Sequence, residues 1–395
     1  MVRAVIPKLP FSFARWRTRC ALAAAVLFFC LSPFGGRALA AVPPIQTVFV
    51  IVLENNNWAS IKGSASAPYL NNVLLPQASR CEQYYNPPGL HPSEPNYVWL
   101  EAASNLGIVT NDDPAINHRA TTNHLVALLR AAGVSWKSYQ EDISGAYVPL
   151  TATNRYAPKH NPMVFFDDVT GTNNPADPYG RAHIRPYSEF WTDLANHTVP
   201  RYCFITPNLC NDGHDNCPPG YDRIRQGDDW LATEIPKITN SAAYQNNGAI
   251  FIVWDEGLGS DGPIGMIVLS SLARGGGYFN NLHYTHSSFV RTMQDIFGVN
   301  QNYLGDAANA RDLFDLFPPF ALTGAVWPTP SRVQFNATGV IPGRTNLVQV
   351  SGALPAWTTI ATNVLPLNAL SNRFQFTDTL PAGPGQRFYR VLQLP

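Results

Sequence analysis

Once its first forty residues are set aside, the sequence has no basic tail or stripe. The whole chain balances 27 Lys and Arg against 27 Asp and Glu. Residues 1–40 hold six of those bases and no acid, so the remainder has 21 against 27, a formal −6 with His neutral. A nucleic-acid partner therefore has no electrostatic footprint to use. Past residue 40 no apolar run is long enough to cross a bilayer, so no transmembrane segment is expected there. Cysteine is sparse: Cys81, Cys203, Cys210 and Cys217 are the four beyond residue 40. Their spacing fits no common zinc motif. An even count in an exported chain reads as two disulfides with three pairings, and the short step favours Cys210–Cys217, leaving Cys81 with Cys203. Residues 333–395 lack His and Cys and hold one acid, Asp378, so chemistry is not expected there.

What is present begins with Arg3, Lys8, Arg15, Arg17 and Arg19, then the apolar run 21–31, then Ala38–Leu39–Ala40. A basic stretch, a short apolar core and a small-x-small site predict a secretory signal over 1–40, cleaved near Ala40–Ala41. Roughly 355 residues remain, enough for one large domain and a small one.

Two stretches organise the large domain. Thr47–Val–Phe–Val–Ile–Val–Leu–Glu–Asn55 and Gly248–Ala–Ile–Phe–Ile–Val–Trp–Asp–Glu–Gly257 are near-continuous apolar runs that stop at acids or amides. Such runs predict strands of a parallel sheet buried on both faces. Ligands of open α/β sheets bind beyond the carboxyl ends of the strands, and paired oxygen side chains there suit a cation. Further strands are predicted at 134–139, 201–206 and 263–270, with helices at 67–75, 98–105, 121–132 and 289–297, and another opening at Asp228 or Asp229. The fold class expected is α/β, an αβα sandwich with a mainly parallel sheet over 41–320. A linker over 321–332 and a small all-β sandwich module over 333–395 complete it.

Between the two strand ends, and shortly after the second, lie the other candidates. In His91–Pro–Ser–Glu–Pro–Asn–Tyr97 the serine precedes a proline suited to a first helical turn, where free N–H groups stabilise both an attacking oxygen and a phosphate. Read alone, Ser93 is equally an N-cap. Tyr156–Ala–Pro–Lys–His–Asn–Pro162 places a cation and an imidazole in one turn. Asp212, His214 and Asp215 crowd a loop that a Cys210–Cys217 bridge would tighten. His286 opens a predicted helix, with His283 nearby, as a ligand for metal or phosphate.

The order of these pieces resembles the bacterial phosphoesterases, a family that includes secreted acid phosphatases and phospholipases C. Five blocks carry the resemblance: Glu54–Asn55, His91 to Tyr97, Lys159 to Pro162, Asn208 to Asp215, and Trp254 to Gly257. His286–Ser–Ser–Phe–Val–Arg–Thr292 looks like a sixth, and all lie in family order. The second and third look like the acid phosphatase branch, which includes secreted phosphatidylinositol-phosphate phosphatases.

The resemblance implies an alkaline-phosphatase-like sandwich with Ser93 as nucleophile. Glu54, Asn55, Asp255 and Glu256 would surround, with Ser93, an activating divalent cation. Asn56 departs from the pattern, since many relatives carry His there. The reaction expected is phosphomonoester hydrolysis through a phosphoserine. His214 would protonate the leaving alcohol, and Asn96, Lys159 and His160 would hold the substrate phosphate. Asp212 and His286 would hold a second metal or act on phosphate. Oxygen ligands admit Ca²⁺, Mg²⁺ or Mn²⁺, and the nearby histidines admit Zn²⁺ or Fe. The partners expected are small phosphate esters or phospholipid head groups. A phospholipase C-type phosphodiesterase and a non-catalytic secreted binding protein are the alternatives.

Overall fold

The two apolar runs that end in acids form neighbouring parallel strands. Eight strands, β1 (Thr47–Leu53), β2 (Ser79–Cys81), β3 (Trp136–Gln140), β4 (Ile184–Pro186), β5 (Tyr202–Thr206), β6 (Gly248–Trp254), β7 (Met266–Leu269) and β8 (Phe279–Asn280), build one sheet. Their order is β8-β2-β7-β6-β1-β5-β3-β4. β7 runs against both its neighbours, and all other pairings are parallel. The computed structural model describes residues 4–6, 42–259, 261–318, 321–340, 345–365, 374–381 and 387–394. The leader expected over 1–40 and its cleavage site lie outside these, apart from Ala4–Ile6.

β1 and β6 have no exposed residue, which explains why apolar side chains alternate with nothing polar. Their register pairs Thr47 with Gly248 and Leu53 with Trp254, so Glu54 and Asp255 leave the sheet side by side. The helices are α1 (Ser93–Ala102), α2 (Leu125–Ala131), α3 (Tyr187–Ala195), α4 (Arg223–Thr239) and α5 (His286–Phe297). Because strand side chains alternate between faces, aromatic contacts show which helix covers which face. Phe204 meets Tyr97 of α1, while Tyr202 and Phe251 meet Phe297 and Phe289 of α5. Phe49 and Tyr139 meet Phe190 of α3, which lies on the opposite face. This is the expected αβα arrangement.

Several local expectations are corrected. Asp222, not Asp228 or Asp229, caps α4 by accepting the Arg225 N–H. Asp228 is buried and accepts the N–H groups of Tyr69 and Leu70. Those N–H groups lie at the start of the helical segment expected at 67–75, whose first turn, Leu70–Leu74, is π-helical. The pairing of Cys81 with Cys203 is also overturned. Cys81 ends β2 and Cys203 lies in β5, four strand positions away, about 19 Å at ~4.8 Å per strand. A disulfide needs its Cα atoms within about 7 Å. Both thiols are buried and free, while Cys210 and Cys217 are bridged as expected.

The chain divides after Phe317. Its second unit holds β9 (Ala321–Thr329), β10 (Arg332–Thr338), β11 (Thr345–Ser351), β12 (Thr358–Val364), β13 (Phe374–Thr379) and β14 (Arg387–Gln393). They make two antiparallel sheets, β9-β10-β13 and β14-β11-β12, with Ala4–Ile6 on the free edge of β14. Phe335 and Phe376 from the first sheet share a core with Val348, Tyr389 and Val391 from the second. Asp378 binds Arg387 at 2.7 Å and the Tyr389 hydroxyl at 2.6 Å, so the one acid here braces the core. The linker expected over 321–332 is corrected: most of it is β9, paired along its length with β10.

Unfolding without reductant should leave Cys81 and Cys203 open to alkylation, and Cys210 and Cys217 only after reduction. Peptide mass mapping checks this, and a peptide linking Cys81 to Cys203 would contradict the strand order.

Candidate active site

β1 and β6 deliver three acids to one place. Glu54, Asp255 and Glu256 are all buried. Hydrogen bonds between the two strand ends bring them together: the Asp255 N–H donates to Leu53 O at 3.0 Å, and the Asn55 N–H to Asp255 Oδ1 at 3.0 Å. Asn55 has φ 32°, a left-handed conformation that asparagine tolerates better than most residues. Its amide then reaches Glu256 Oε1 at 3.3 Å.

α1 supplies the hydroxyl. Ser93 is the first helical residue after Pro92, and its side chain makes no capping bond, so the N-cap reading is rejected. Ser93 Oγ lies 3.2 Å from Glu54 Oε2 and 3.5 Å from Glu256 Oε1. The helix start thus aims a hydroxyl into a carboxylate cage.

The other wall comes from the turn before Pro162 and the loop after β5. His160 is buried, with Nε2 2.9 Å from Glu54 Oε1 and Nδ1 3.2 Å from Asp212 Oδ2. Asp212 also accepts the His214 N–H at 2.8 Å, and its carbonyl receives the Glu54 N–H at 2.8 Å. His214 points Nδ1 at Asp215 Oδ1, 2.7 Å away, and Nε2 at Lys159 Nζ, 3.2 Å away. One oxygen of Glu54 with the ring nitrogens of His160 and His214 lies within 4.8 Å of one another, a spacing a metal ion can bridge. The Cys210–Cys217 bridge brackets Asp212, His214 and Asp215, as expected.

Charge in this cage is unevenly compensated. Burial alone would raise Glu54, but His160 and Lys159 outweigh it and bring Glu54 down to about 2. Burial would lower His160, yet Glu54 and Asp212 hold it up at about 9. At Asp255 and Glu256 the opposing contributions do not outweigh burial. Burial, then Glu54 and Glu256, drives Asp255 well above the carboxylate range. Burial and Glu54 push Glu256 up to about 8. Asp255 Oδ2 and Asn55 Oδ1 are buried and accept no hydrogen bond from any described residue. Buried acceptors without donors, beside carboxylates forced toward protonation, fit a hard divalent cation held by Glu54, Asn55, Ser93, Asp255 and Glu256.

Some sequence-derived roles are corrected. His286 sits behind the cage: its Nε2–H donates to Asp255 O at 2.6 Å and its Nδ1 accepts from Tyr84 Oη at 3.1 Å. Neither nitrogen is left for metal or phosphate, and His286 instead fixes the strand end. Asn96 spends its amide hydrogens on Leu90 O and Pro92 O, at 2.8 and 3.0 Å, and so holds the chain ahead of Ser93. His160 lies between Glu54 and Asp212 and braces the cage. Asp212 in turn orients both His160 and the His214 backbone.

Two neighbours carried no assigned role. Tyr97 stacks on His160 at 5.1 Å, and four residues after Ser93 it falls on the same helical face. His91 lies 3.6 Å from Glu256 and 3.0 Å from Asp261 at the mouth. Helical spacing could have found Tyr97. Tyr84 behind His286 gave no sequence signal.

Fold and site together define a class, α/β proteins in which a serine on a helix start faces a carboxylate cage at the strand ends. The chain belongs to the Phosphoesterase family, whose model matches residues 67–300. It is 30% identical over 286 residues to a phosphatidylinositol-3-phosphatase of Mycobacterium tuberculosis, covering 72% of this chain and 87% of that one. It is 29% identical over 220 residues to a phosphate-repressible acid phosphatase of Penicillium chrysogenum, covering 53% and 50%. It thus spans about half the length of that fungal relative. A solved structure from Vibrio parahaemolyticus, a protein in the alkaline phosphatase superfamily, covers 84% of this chain and 86% of its own at 11% identity and TM-score 0.46.

The raised acids set a pH dependence for the cation-free protein. Folded Glu256 keeps its proton up to about pH 8, whereas the unfolded residue releases it near 4.5. The folded state therefore binds more protons across that window, and stability falls as pH rises through it. Asp255→Asn, which keeps the acceptor for Asn55, should melt higher than wild type at pH 7 in chelator. It should also gain little when a divalent cation is added. Thermal melts with and without metal check both signs.

Proposed function

We propose that this chain is an exported, metal-dependent phosphomonoesterase that works through a phosphoserine on Ser93. The observation that carries the reading is the Ser93 hydroxyl, placed on a helix N-terminus and facing the buried carboxylates of Glu54 and Glu256. Glu54, Asn55, Ser93, Asp255 and Glu256 would hold a divalent cation, which would supply Lewis acidity favouring the ionised form of that hydroxyl.

The chain's own groups do the rest. The backbone N–H at the start of α1 and the Lys159 ammonium face the phosphate and stabilise its oxygens. Ser93 Oγ forms a bond to phosphorus while its proton leaves toward Glu54 Oε2, the nearer of its two carboxylate neighbours, and returns to Ser93 Oγ when the phosphoserine is cleaved. The bond from phosphorus to the alcohol oxygen breaks, and its electron pair departs with that oxygen. The proton shared between Lys159 Nζ and His214 Nε2 neutralises the leaving alcohol, with Asp215 holding the ring in place. Water then attacks phosphorus, and His214 takes its proton as the bond to Ser93 breaks.

Monoester substrates are favoured over diesters by the relatives, a phosphatidylinositol-3-phosphatase and an acid phosphatase. Small phosphate esters and phosphorylated lipid head groups are the substrate classes this reading admits. Export is supported by the composition of residues 1–40 and by the Cys210–Cys217 bridge, which suits an oxidising compartment.

Ser93→Ala should lower kcat on a chromogenic phosphate monoester on the order of 10³-fold or more while the protein stays folded. Wild type, quenched during turnover, should carry phosphate on the peptide containing Ser93. Near wild-type turnover by Ser93→Ala would remove the nucleophile. Diacylglycerol release from phosphatidylcholine without monoester hydrolysis would move the chain to the phospholipase C side.

A further inference from the structure

α1 carries the nucleophile, yet its own first turn does not cap it. Pro92, at the cap position, has no side-chain acceptor, and Ser93 makes no capping bond. The cap comes from 17 residues downstream, where Asn111 Oδ1 accepts the Glu94 N–H at 2.9 Å. Beside it, buried Asn117 donates Nδ2–H to Glu94 Oε1 at 2.8 Å and to Thr110 O at 3.3 Å. Glu94 Oε2 is buried with no partner among the described residues, so the carboxyl depends on Asn117. Of the first three helical residues, Pro95 has no N–H and Glu94 gives its own to Asn111. Ser93 keeps the free N–H of the helix start, and no described residue accepts from it.

The loop that supplies this cap is tied at its other end to the wall carrying Lys159 and His160. The Arg119 N–H donates to Phe165 O at 2.7 Å, and Arg119 O accepts the Asp167 N–H at 3.1 Å. His118 Nδ1 lies 2.7 Å from Asp167 Oδ1, and His124 Nε2 lies 2.8 Å from Asp168 Oδ1. The His124 ring also stacks on Phe166 at 3.8 Å. Within the loop, the Arg119 guanidinium donates to the carbonyls of Leu106, Asn117 and His118. Residues 104–124 therefore span from the start of α1 to the segment that follows the Lys159–Pro162 turn.

We propose that Asn111 and Asn117 are positioning residues for Ser93. Together they fix the first turn of α1 against this anchored loop, so that Oγ and the Ser93 N–H meet one phosphate in a set geometry. The inference rests on the phosphoserine reading above. Both asparagines act through Glu94 rather than on the reacting atoms. An uncapped helix end frays, and a displacement of about 1 Å slows an attacking group on the order of 10²-fold.

The experiment is rapid-quench kinetics on the full chain with a chromogenic phosphate monoester, reading formation of the phosphoserine. Asn111 is exposed, so replacing it opens no cavity. Asn111→Ala should slow formation roughly 10- to 100-fold and lower kcat with it, while KM stays within about threefold. Asn111→Leu, which keeps the shape without the acceptor, should do the same and serves if the alanine variant folds poorly. Asn111→Asp keeps the acceptor and should return formation to within about threefold of wild type. Asn117→Ala should repeat the loss, whereas Glu94→Gln, which keeps an oxygen for Asn117, should not. Formation within about threefold of wild type in both alanine variants, or an equal loss in Asn111→Asp and Asn111→Ala, overturns the proposal. Either result leaves the phosphoserine reading in place, and absence of phosphoserine in wild type overturns both.

Discussion

The structure depends on placing like charges together at the carboxyl ends of two central strands. Glu54, Asp255 and Glu256 are buried, and in a low-dielectric setting such a group is costly unless opposite charge meets it. Everything around the cage answers that cost. His160 and Lys159 supply positive charge on one side, the start of α1 brings its N-terminal dipole on another, and the remaining acceptors call for a cation. The sheet's register is what forces the problem, because a slip of one residue between β1 and β6 would send the acids to different sides.

Support for the cage comes from a layer that touches no substrate. His286 and Tyr84 hold the carbonyl of Asp255, Asn96 holds the loop ahead of Ser93, and Tyr97 lies flat against His160. His286 bonds to Tyr84 and to the Asp255 carbonyl, and the Asn96 amide hydrogens go to backbone carbonyls. Site residues held in this way keep their geometry when a substrate arrives, which is the condition for electrostatic preorganisation.

Much of this was legible because the relevant signals are local. A strand buried on both faces must be a continuous apolar run, so β1 and β6 could be read directly, and their acidic ends with them. Ser93 was legible from Pro95, which suits a first helical turn. What failed depended on distant partners. His286 and Asn96 have the right chemistry for ligands, but their donors are spent on Asp255, Leu90 and Pro92, which periodicity cannot show. Pairing Cys81 with Cys203 by elimination ignored sheet order, which places three strands between them. β9 looked like a linker because of Pro328, yet an edge strand tolerates a proline whose missing N–H would face away from the ladder. The cap of α4 was misplaced because Asp228, near its start, is committed to the backbone of another turn.

The Cys210–Cys217 bridge serves the site rather than the scaffold. No strand of the sheet needs it, since β1, β5 and β6 are held by their own ladders and by apolar burial. What it encloses is the segment carrying Asp212, His214 and Asp215. A chain folded where thiols stay reduced would thus have an intact scaffold around a less constrained segment. The bridge adds a covalent constraint to a segment that backbone bonds from Asp212 to Asn208 and from Asp215 to Leu209 already shape.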